Sequence, residues 1–174
     1  MCIICESKFD NNVLEGISEL TISKCEQITS IPIIRGLKKL TVEGCPKIKE
    51  IPIIDGLLDL ELNSLAISRV PYSEGLTILR VIQCPNILDI PQIHSITQLH
   101  IATCNITHIP RIRNCRMLDV LSCGSLTSID YSEHAKLTIW GCNSISSIPF
   151  KDAFIFKCKS LTEVNSGKYN NEDK

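Results

Sequence analysis

Residues 20–39 read LTISKCEQITSIPIIRGLKK, and residues 40–59 read LTVEGCPKIKEIPIIDGLLD. Both segments have an alternating start, a cysteine at the sixth position and an Ile-Pro pair near the middle. This arrangement recurs along most of the chain. The residue at the sixth position, which we call the marker residue, is Cys25, Cys45, Leu65, Cys84, Cys104, Cys123, Cys142 and Cys158. Successive markers are 20, 20, 19, 20, 19, 19 and 16 residues apart. Such a repeat predicts a solenoid of about eight stacked units.

Each repeat follows the pattern L-x-L/I/V-x-x-C-x-x-I-x-x-I-P. Its first residues alternate between apolar and polar, as a short strand with one buried face does. A proline ends the pattern in six repeats, at Pro32, Pro52, Pro71, Pro91, Pro110 and Pro149. Proline lacks an N–H and fixes φ, which disfavours a helix in the return segment. We therefore expect a parallel β-sheet on the concave face, extended or 3-10 segments on the convex face, and little or no α-helix.

The composition limits the classes of partner. The 174 residues have a formal net charge of −1, so no basic surface for nucleic acid or for an anionic membrane is expected. Apolar runs are too short for a transmembrane helix, and the first residues lack the features of a secretory signal. We expect a degenerate capping half-repeat at 1–16, the solenoid at 17–164 and a polar, disordered tail at 165–174.

The ten cysteines are expected to be reduced and mostly buried. A cysteine is a small apolar residue with a weak donor, suited to the end of each strand. Parallel strands lie about 4.8 Å apart, whereas disulfide Cβ atoms lie about 3.8 Å apart, so bridges between neighbouring repeats would require distortion. Reduced thiols indicate a cytoplasmic location, although the sequon Asn105-Ile106-Thr107 argues for secretion. The structural cysteine ladder comprises Cys5, Cys25, Cys45, Cys84, Cys104, Cys123, Cys142 and Cys158, with Cys115 at another inward position.

Catalytic and metal-binding patterns are weak in this sequence. Cys2-x-x-Cys5 has the spacing of a metal or redox pair, but zinc needs a second pair or suitably spaced histidines, which the four histidines do not provide. Glycine-rich phosphate loops and nucleophile elbows are not found in the sequence. We therefore expect no enzymatic activity, no metal and no cofactor.

The outward strand positions provide the candidate binding surface. In the first three repeats these positions are polar and mainly acidic, whereas the last repeats present aromatic and apolar residues. Monomers rarely expose large apolar patches, and tryptophan is enriched among residues that dominate binding energy. Two alternatives stay open for the phenylalanines: residues 166–174 cover them as a cap, or a shifted register buries them. The candidate partner-binding residues are Arg80, Ile82, His100, Met117, Asp119, Leu121, Trp140, Phe154 and Phe156.

The repeats resemble leucine-rich repeats, whose signature L-x-x-L-x-L-x-x-N/C is matched by Ile17-Ser-Glu-Leu20-Thr-Ile22-Ser-Lys-Cys25. The short unit with an Ile-Pro return is similar to the class found in secreted bacterial effectors and in repeat proteins of large DNA viruses of protists. The resemblance covers residues 13–164. It departs from the family at Leu65, at Asp130 in place of proline, and in the use of cysteine for asparagine. The resemblance implies a repeat solenoid that binds other macromolecules.

The expected function is therefore a non-catalytic module that binds a partner protein on the concave sheet face. Neither nucleic acid nor a membrane is expected as a partner. The first alternative is a self-assembling homo-oligomer formed through the C-terminal end, because nothing amphipathic follows Val164 to cover the last repeat. The second alternative is an adaptor fragment of a larger effector.

Overall fold

The computed structural model describes residues 16–130 and 132–164 as a parallel β-solenoid of about 7 turns. Eight strands form the main sheet, in chain order, and each pairs in parallel with its neighbours at equivalent repeat positions. The predicted cap at 1–16, except Gly16, the tail at 165–174 and both Cys2 and Cys5 lie outside the described residues. The strands are β1 (Glu19–Ser23), β2 (Lys39–Glu43), β3 (Asp59–Asn63), β4 (Ile78–Ile82), β5 (Gln98–Ala102), β6 (His108–Ile109), β7 (Met117–Leu121), β8 (Ser128–Ile129), β9 (Lys136–Trp140), β10 (Ser147–Ile148), β11 (Ala153–Phe156) and β12 (Glu163–Val164).

The return segments are extended, and four of them contain two-residue strands. β6 pairs with β8, and β10 pairs with β12, on the side opposite the main sheet. Pro110 and Pro149 follow β6 and β10, so each strand ends where the backbone loses its donor. Asp130 stands where proline is expected, and its N–H donates to the carbonyl of Ile109 at 2.9 Å. Within 16–130 and 132–164 there is no helix of any type, which confirms the predicted solenoid with extended returns. In that part of the chain, consequently, no helix could cross a membrane.

The core follows a regular spacing of inward residues. In a 20-residue turn, the step between buried residues is two along the strand and three everywhere else, which gives seven inward side chains per turn. A 19-residue turn shortens one step, as between Leu65 and Ile67, and keeps all seven. The turn from 40 to 59 buries Leu40, Val42, Cys45, Ile48, Ile51, Ile54 and Leu57. Changes in repeat length therefore leave the layers of the core intact.

The shortest complete turn, from 137 to 152, is closed by a larger side chain. Longer turns place two inward side chains before the next strand, whereas this turn places only the fully buried Phe150 between Ile148 and Ala153. One ring thus fills the space of two smaller groups, as close packing requires. Among the described residues two polar side chains are buried, and both are hydrogen-bonded. Ser73 donates to the carbonyl of Ile54, and Ser132 accepts from the N–H of Ile112.

A left-handed residue ends every strand of the main sheet. Its φ lies between 50° and 65°. In all but the last strand, its N–H donates to the carbonyl at the end of the next strand, as from Thr103 to Leu121 at 2.9 Å. The bend turns the following marker residue into the core. Only two of the eight are glycines, although other residue types pay about 1–2 kcal/mol for this conformation. These residues are Lys24, Gly44, Ser64, Gln83, Thr103, Ser122, Gly141 and Lys157.

Candidate functional site: the outer face of the main sheet

All nine candidate residues lie on the outer sheet face, meaning the face of the main sheet that points away from the core. They alternate with buried residues of the same strands, as the burial pattern of β7 shows for Leu118 and Val120. The structure therefore places these side chains where a partner could reach them. They are Arg80 and Ile82 on β4, His100 on β5, Met117, Asp119 and Leu121 on β7, Trp140 on β9, and Phe154 and Phe156 on β11.

The register groups eight of the nine candidates into two rows that run across the strands, while Met117 lies opposite Gln98 and Lys136. The first row is polar until its end and contains Arg80, His100, Asp119, Thr138 and Phe154. The second, which we call the apolar row, contains Ile82, Ala102, Leu121, Trp140 and Phe156. Neighbours within a row are separated by the strand spacing of about 4.8 Å, so the apolar row forms a continuous surface.

Both rows end in an aromatic patch, which comprises Trp140, Phe154 and Phe156. The rings of Trp140 and Phe156 are stacked, with centroids 5.6 Å apart and an interplanar angle of 30°. The ammonium group of Lys157 lies 5.7 Å from the centre of the Trp140 ring, within the range of a cation–π interaction. Trp140 is 46% exposed and Phe154 is 45% exposed. Large rings are thus held in fixed positions at the surface.

The register of β11 decides one of the two alternatives for the phenylalanines. Ala153 lies opposite Leu137 and Ile155 opposite Ile139, and both β11 residues are buried. The rings of Phe154 and Phe156 therefore point away from the core, and the shifted register is wrong. The other alternative, a cap formed by residues 166–174, lies outside the described residues.

The polar part of the outer sheet face contains two contacts between neighbouring strands. The guanidinium of Arg80 lies 2.7 Å from the carboxylate of Asp59, and a ring nitrogen of His100 lies 3.8 Å from the carboxylate of Asp119. Arg80, His100, Met117 and Asp119 also line a shallow cavity of about 260 Å³ between β4, β5 and β7. The walls of this cavity offer both apolar and charged contacts.

The cysteine ladder lies inside the solenoid and has a structural geometry. The seven described ladder cysteines and Cys115 are buried and reduced. Sγ of Cys84 and Cys104 each lies 3.3 Å from the carbonyl oxygen two residues earlier, at the end of the strand. Cys104 also donates to the carbonyl of Val81 on the preceding turn, at 3.5 Å. The thiols therefore support the bend after each strand and connect adjacent turns.

Burial also makes Cys104, Cys115 and Cys142 poor nucleophiles. It raises the pKa of Cys104 to about 12 and the pKa of Cys115 to about 11. A hydrogen bond with Cys123, together with burial, raises the pKa of Cys142. Because the thiolate is the nucleophile and the metal ligand, Cys104, Cys115 and Cys142 are unreactive at neutral pH. The same hydrogen bond with Cys142 lowers the pKa of Cys123. Within the described ranges, no group of three or more His, Cys, Asp or Glu side chains is arranged to hold a metal ion.

One exposed apolar surface was missed by the sequence analysis. Ile33, Ile53 and Tyr72 occupy the same position in three successive turns, directly after the proline of the return segment. Their exposed fractions are 71%, 59% and 53%, so they form what we call the return strip, on the side opposite the main sheet. The sequence does contain a signal for this strip. The residue after each Ile-Pro or Val-Pro pair is apolar or aromatic in three successive repeats and polar in the next two.

Comparisons with known proteins give no relative from which a role could be transferred. A scan against protein-family models matches none of them, and a search of curated proteins finds no match. The fold conclusion, a parallel repeat solenoid, therefore rests on the structure. The family of the repeats and their role are proposals, which follow from the geometry described above.

Proposed function

We propose that this chain is a leucine-rich-repeat protein and a non-catalytic module that binds a partner protein on the outer sheet face. The observation that carries the proposal is the aromatic patch at the end of the continuous apolar row. Trp140 and Phe154 are each almost half exposed and project from neighbouring strands of a rigid sheet. Aromatic residues presented in fixed positions dominate the binding energy of many interfaces.

The charges around the patch favour a partner with acidic side chains. Lys157 lies over the ring of Trp140 and places a positive charge at the patch. The complementary surface is a protein segment in which apolar side chains are flanked by carboxylates. Apolar contacts would supply most of the affinity, while the carboxylates would orient the segment and speed its association.

The repeat geometry supports the leucine-rich-repeat assignment. Each L-x-L segment forms a strand of the main sheet, as Leu20 and Ile22 do in β1, and the marker residue follows the bend into the core. In this position the thiol of cysteine donates to strand carbonyls, which is the contact expected of a small donor. The reduced, buried thiols also support the proposal that the protein acts in a reducing, cytoplasmic compartment.

The experiment begins with the selection of binding peptides from a display library on the immobilised full chain. Selected peptides are then titrated while the fluorescence of Trp140 is recorded, since it is the only tryptophan of the chain. Phe156→Ala should weaken binding about tenfold or more, in the range of an interface hot spot. Trp140→Ala should weaken binding to a similar extent, which calorimetry measures because this variant has no tryptophan fluorescence.

The matched control removes apolar surface from the other side of the molecule. Ile33→Ser combined with Ile53→Ser should leave peptide affinity unchanged, because the return strip lies opposite the outer sheet face. The proposal fails if the selected peptides bind equally well to Trp140→Ala, or if only the return-strip variant loses them. A large fall in the thermal midpoint of Trp140→Ala would show that the ring has a structural role instead.

A second candidate function, self-assembly, is favoured by the position of β11. In the described part of the chain β11 is the last strand of the main sheet, and its sequence AFIF is apolar. Such an edge presents backbone donors and acceptors to another chain. Light scattering across a range of protein concentrations tests this candidate, which requires a mass above 19.4 kDa that falls on dilution.

A further inference from the structure

A second surface feature lies at the edge of the main sheet where the chain enters β5, β7 and β9. A cavity of about 620 Å³ opens there. Four of its lining residues are basic, and they come from two consecutive turns: Arg113, Arg116, His134 and Lys136. This cavity is separate from the nine candidate residues, none of which lines it.

The stacking of the turns brings these basic residues together. Lys136 lies opposite Met117 in the register, so Arg116 is its neighbour on the adjacent turn. The backbone N–H of Lys136 donates to the carbonyl of Arg116, and that of Arg116 donates to the carbonyl of Thr97, at 2.9 and 2.8 Å. The basic residues are therefore held on a hydrogen-bonded frame.

The other walls of the cavity are polar and fixed by hydrogen bonds to preceding turns. Ser95 donates to the carbonyl of Leu76, Thr97 to that of Thr77, and Asn114 to that of His94. The distances are 2.8, 3.1 and 2.8 Å. An entering ligand would thus meet a preformed polar wall on one side and exposed basic side chains on the other.

The cavity concentrates positive charge in a chain whose net charge is −1. No carboxylate lines it, and across the described residues no salt bridge involves any of its four basic side chains. Two arginines elsewhere in the solenoid do pair with a carboxylate from an adjacent turn, Arg80 with Asp59 and Arg69 with Glu50. The like charges therefore repel one another, and a bound anion would relieve that repulsion.

We propose that this basic cavity binds a small anionic ligand that carries several phosphoryl groups. Arg113 and Arg116 can each donate two parallel hydrogen bonds to phosphate oxygens, and Lys136 adds a compact charge. The volume falls within the range of small-molecule sites, about 300–1,000 Å³, and exceeds the needs of a single phosphate. This inference does not depend on partner binding at the aromatic patch.

Isothermal titration calorimetry with inorganic tripolyphosphate tests the proposal on the full chain. Saturable binding of one ligand per chain is expected at low salt, with weaker binding as the ionic strength rises, because the cations are exposed. Arg113→Gln combined with Arg116→Gln should weaken binding about tenfold or more. Arg69→Gln, which removes an exposed arginine outside the cavity, is the matched control and should bind as the unmodified chain does.

Three results would overturn the proposal. They are the lack of saturable binding, an equal loss of binding in the Arg69→Gln control, and equally tight binding of sulfate, which would indicate non-specific screening. A doubly phosphorylated peptide distinguishes the source of the phosphoryl groups, and tighter binding of that peptide than of tripolyphosphate would exclude a small ligand. Lys136→Gln provides a second variant if the double variant unfolds at a lower temperature.

Discussion

The first three turns and the last three turns carry their exposed apolar residues on opposite sides of the same solenoid. In the turns that begin with β1, β2 and β3, the outer sheet face is polar or acidic, and the return strip projects from the other side. In the turns that begin with β7, β9 and β11, the outer sheet face carries Met117, Trp140 and Phe154, which are 49%, 46% and 45% exposed. The position directly after the return-segment proline, which holds Ile33 and Ile53 in the first turns, holds the polar Gln92 in the turn that begins with β4.

This difference shows that the core and the surface of the solenoid are independent. Both regions bury the same inward pattern, and each turn contacts only the turns beside it. The inward residues therefore specify the stack, whereas the outward residues can change from one turn to the next without affecting it. Functional specialisation along the chain is then expected on the surface, at the aromatic patch and at the basic cavity.

The largest expected effect comes from breaking the shared core. Leu79→Ala removes a fully buried side chain from the centre of β4 and should lower the free energy of unfolding by about 2–5 kcal/mol, through lost burial and the cavity left behind. Leu88→Ala makes the same chemical change at a residue that is 56% exposed, and should change it by less than about 0.5 kcal/mol. Urea titration of both variants measures the contrast, and equal losses would contradict the assigned core.

The next effect is a loss of stability at alkaline pH, caused by the buried thiols. The pKa of Cys104 is about 12 in the folded chain and 9.0 as the ordinary value, so the unfolded chain releases the proton first. The contribution of this thiol to the free energy of unfolding is therefore fully present below about pH 9 and is lost as the pH rises toward 12. This single thiol should lower the free energy of unfolding by about 1 kcal/mol between pH 9 and pH 10.

The control for the alkaline effect removes the titrating group. Cys104→Val keeps an apolar side chain of similar size, so its stability should fall less steeply over the same pH interval, although the other buried thiols still contribute. Urea titrations at pH 8, 9 and 10 give the two slopes. Equal slopes for the variant and the unmodified chain would show that Cys104 does not titrate as its burial requires.

The main sheet and the outward residues could be predicted from the sequence because two independent periods coincide. Alternation along each strand assigns Trp140 outward and Ile139 inward, and the interval of 19 or 20 residues places equivalent positions side by side. The same argument identified Cys115 as an inward residue, and the structure buries it. Such features depend only on local pattern and on counting.

Other features depend on packing between turns, which the repeat pattern does not show. Phe150 is fully buried because a 16-residue turn must fill the space of a longer one, and no other repeat contains this substitution. The basic cavity joins residues from 95 to 136 whose positions are not part of the repeat signature. The sequence pattern is also compatible with both extended and 3-10 return segments, and only the backbone conformation in the structure decides between them.

A smaller effect should follow from relieving backbone strain at the end of a strand. Thr103 has a φ of 55°, an unfavourable conformation for a β-branched residue, whereas Gly141 occupies the equivalent position of a later turn. Thr103→Gly should raise the free energy of unfolding by about 0.5–1 kcal/mol, the relief of strain less the added chain entropy. Thr107→Gly, at a residue whose φ is not positive, should lower it, and a decrease in both variants would contradict the strain argument.

The smallest effect compares two ion pairs between adjacent turns. The side chains of Arg80 and Asp59 are 33% and 17% exposed and lie 2.7 Å apart, whereas those of Arg69 and Glu50 are 75% and 73% exposed and lie 3.4 Å apart. Solvent screening is weaker for the first pair, so a double-mutant cycle with Arg80→Met and Asp59→Asn should give a coupling of about 0.2–1 kcal/mol. The cycle with Arg69→Met and Glu50→Gln should give a coupling close to zero. A larger coupling for the exposed pair would mean that charge pairing on the two faces is not governed by burial, and the contrast drawn between the paired arginines and the unpaired basic cavity would lose its physical basis.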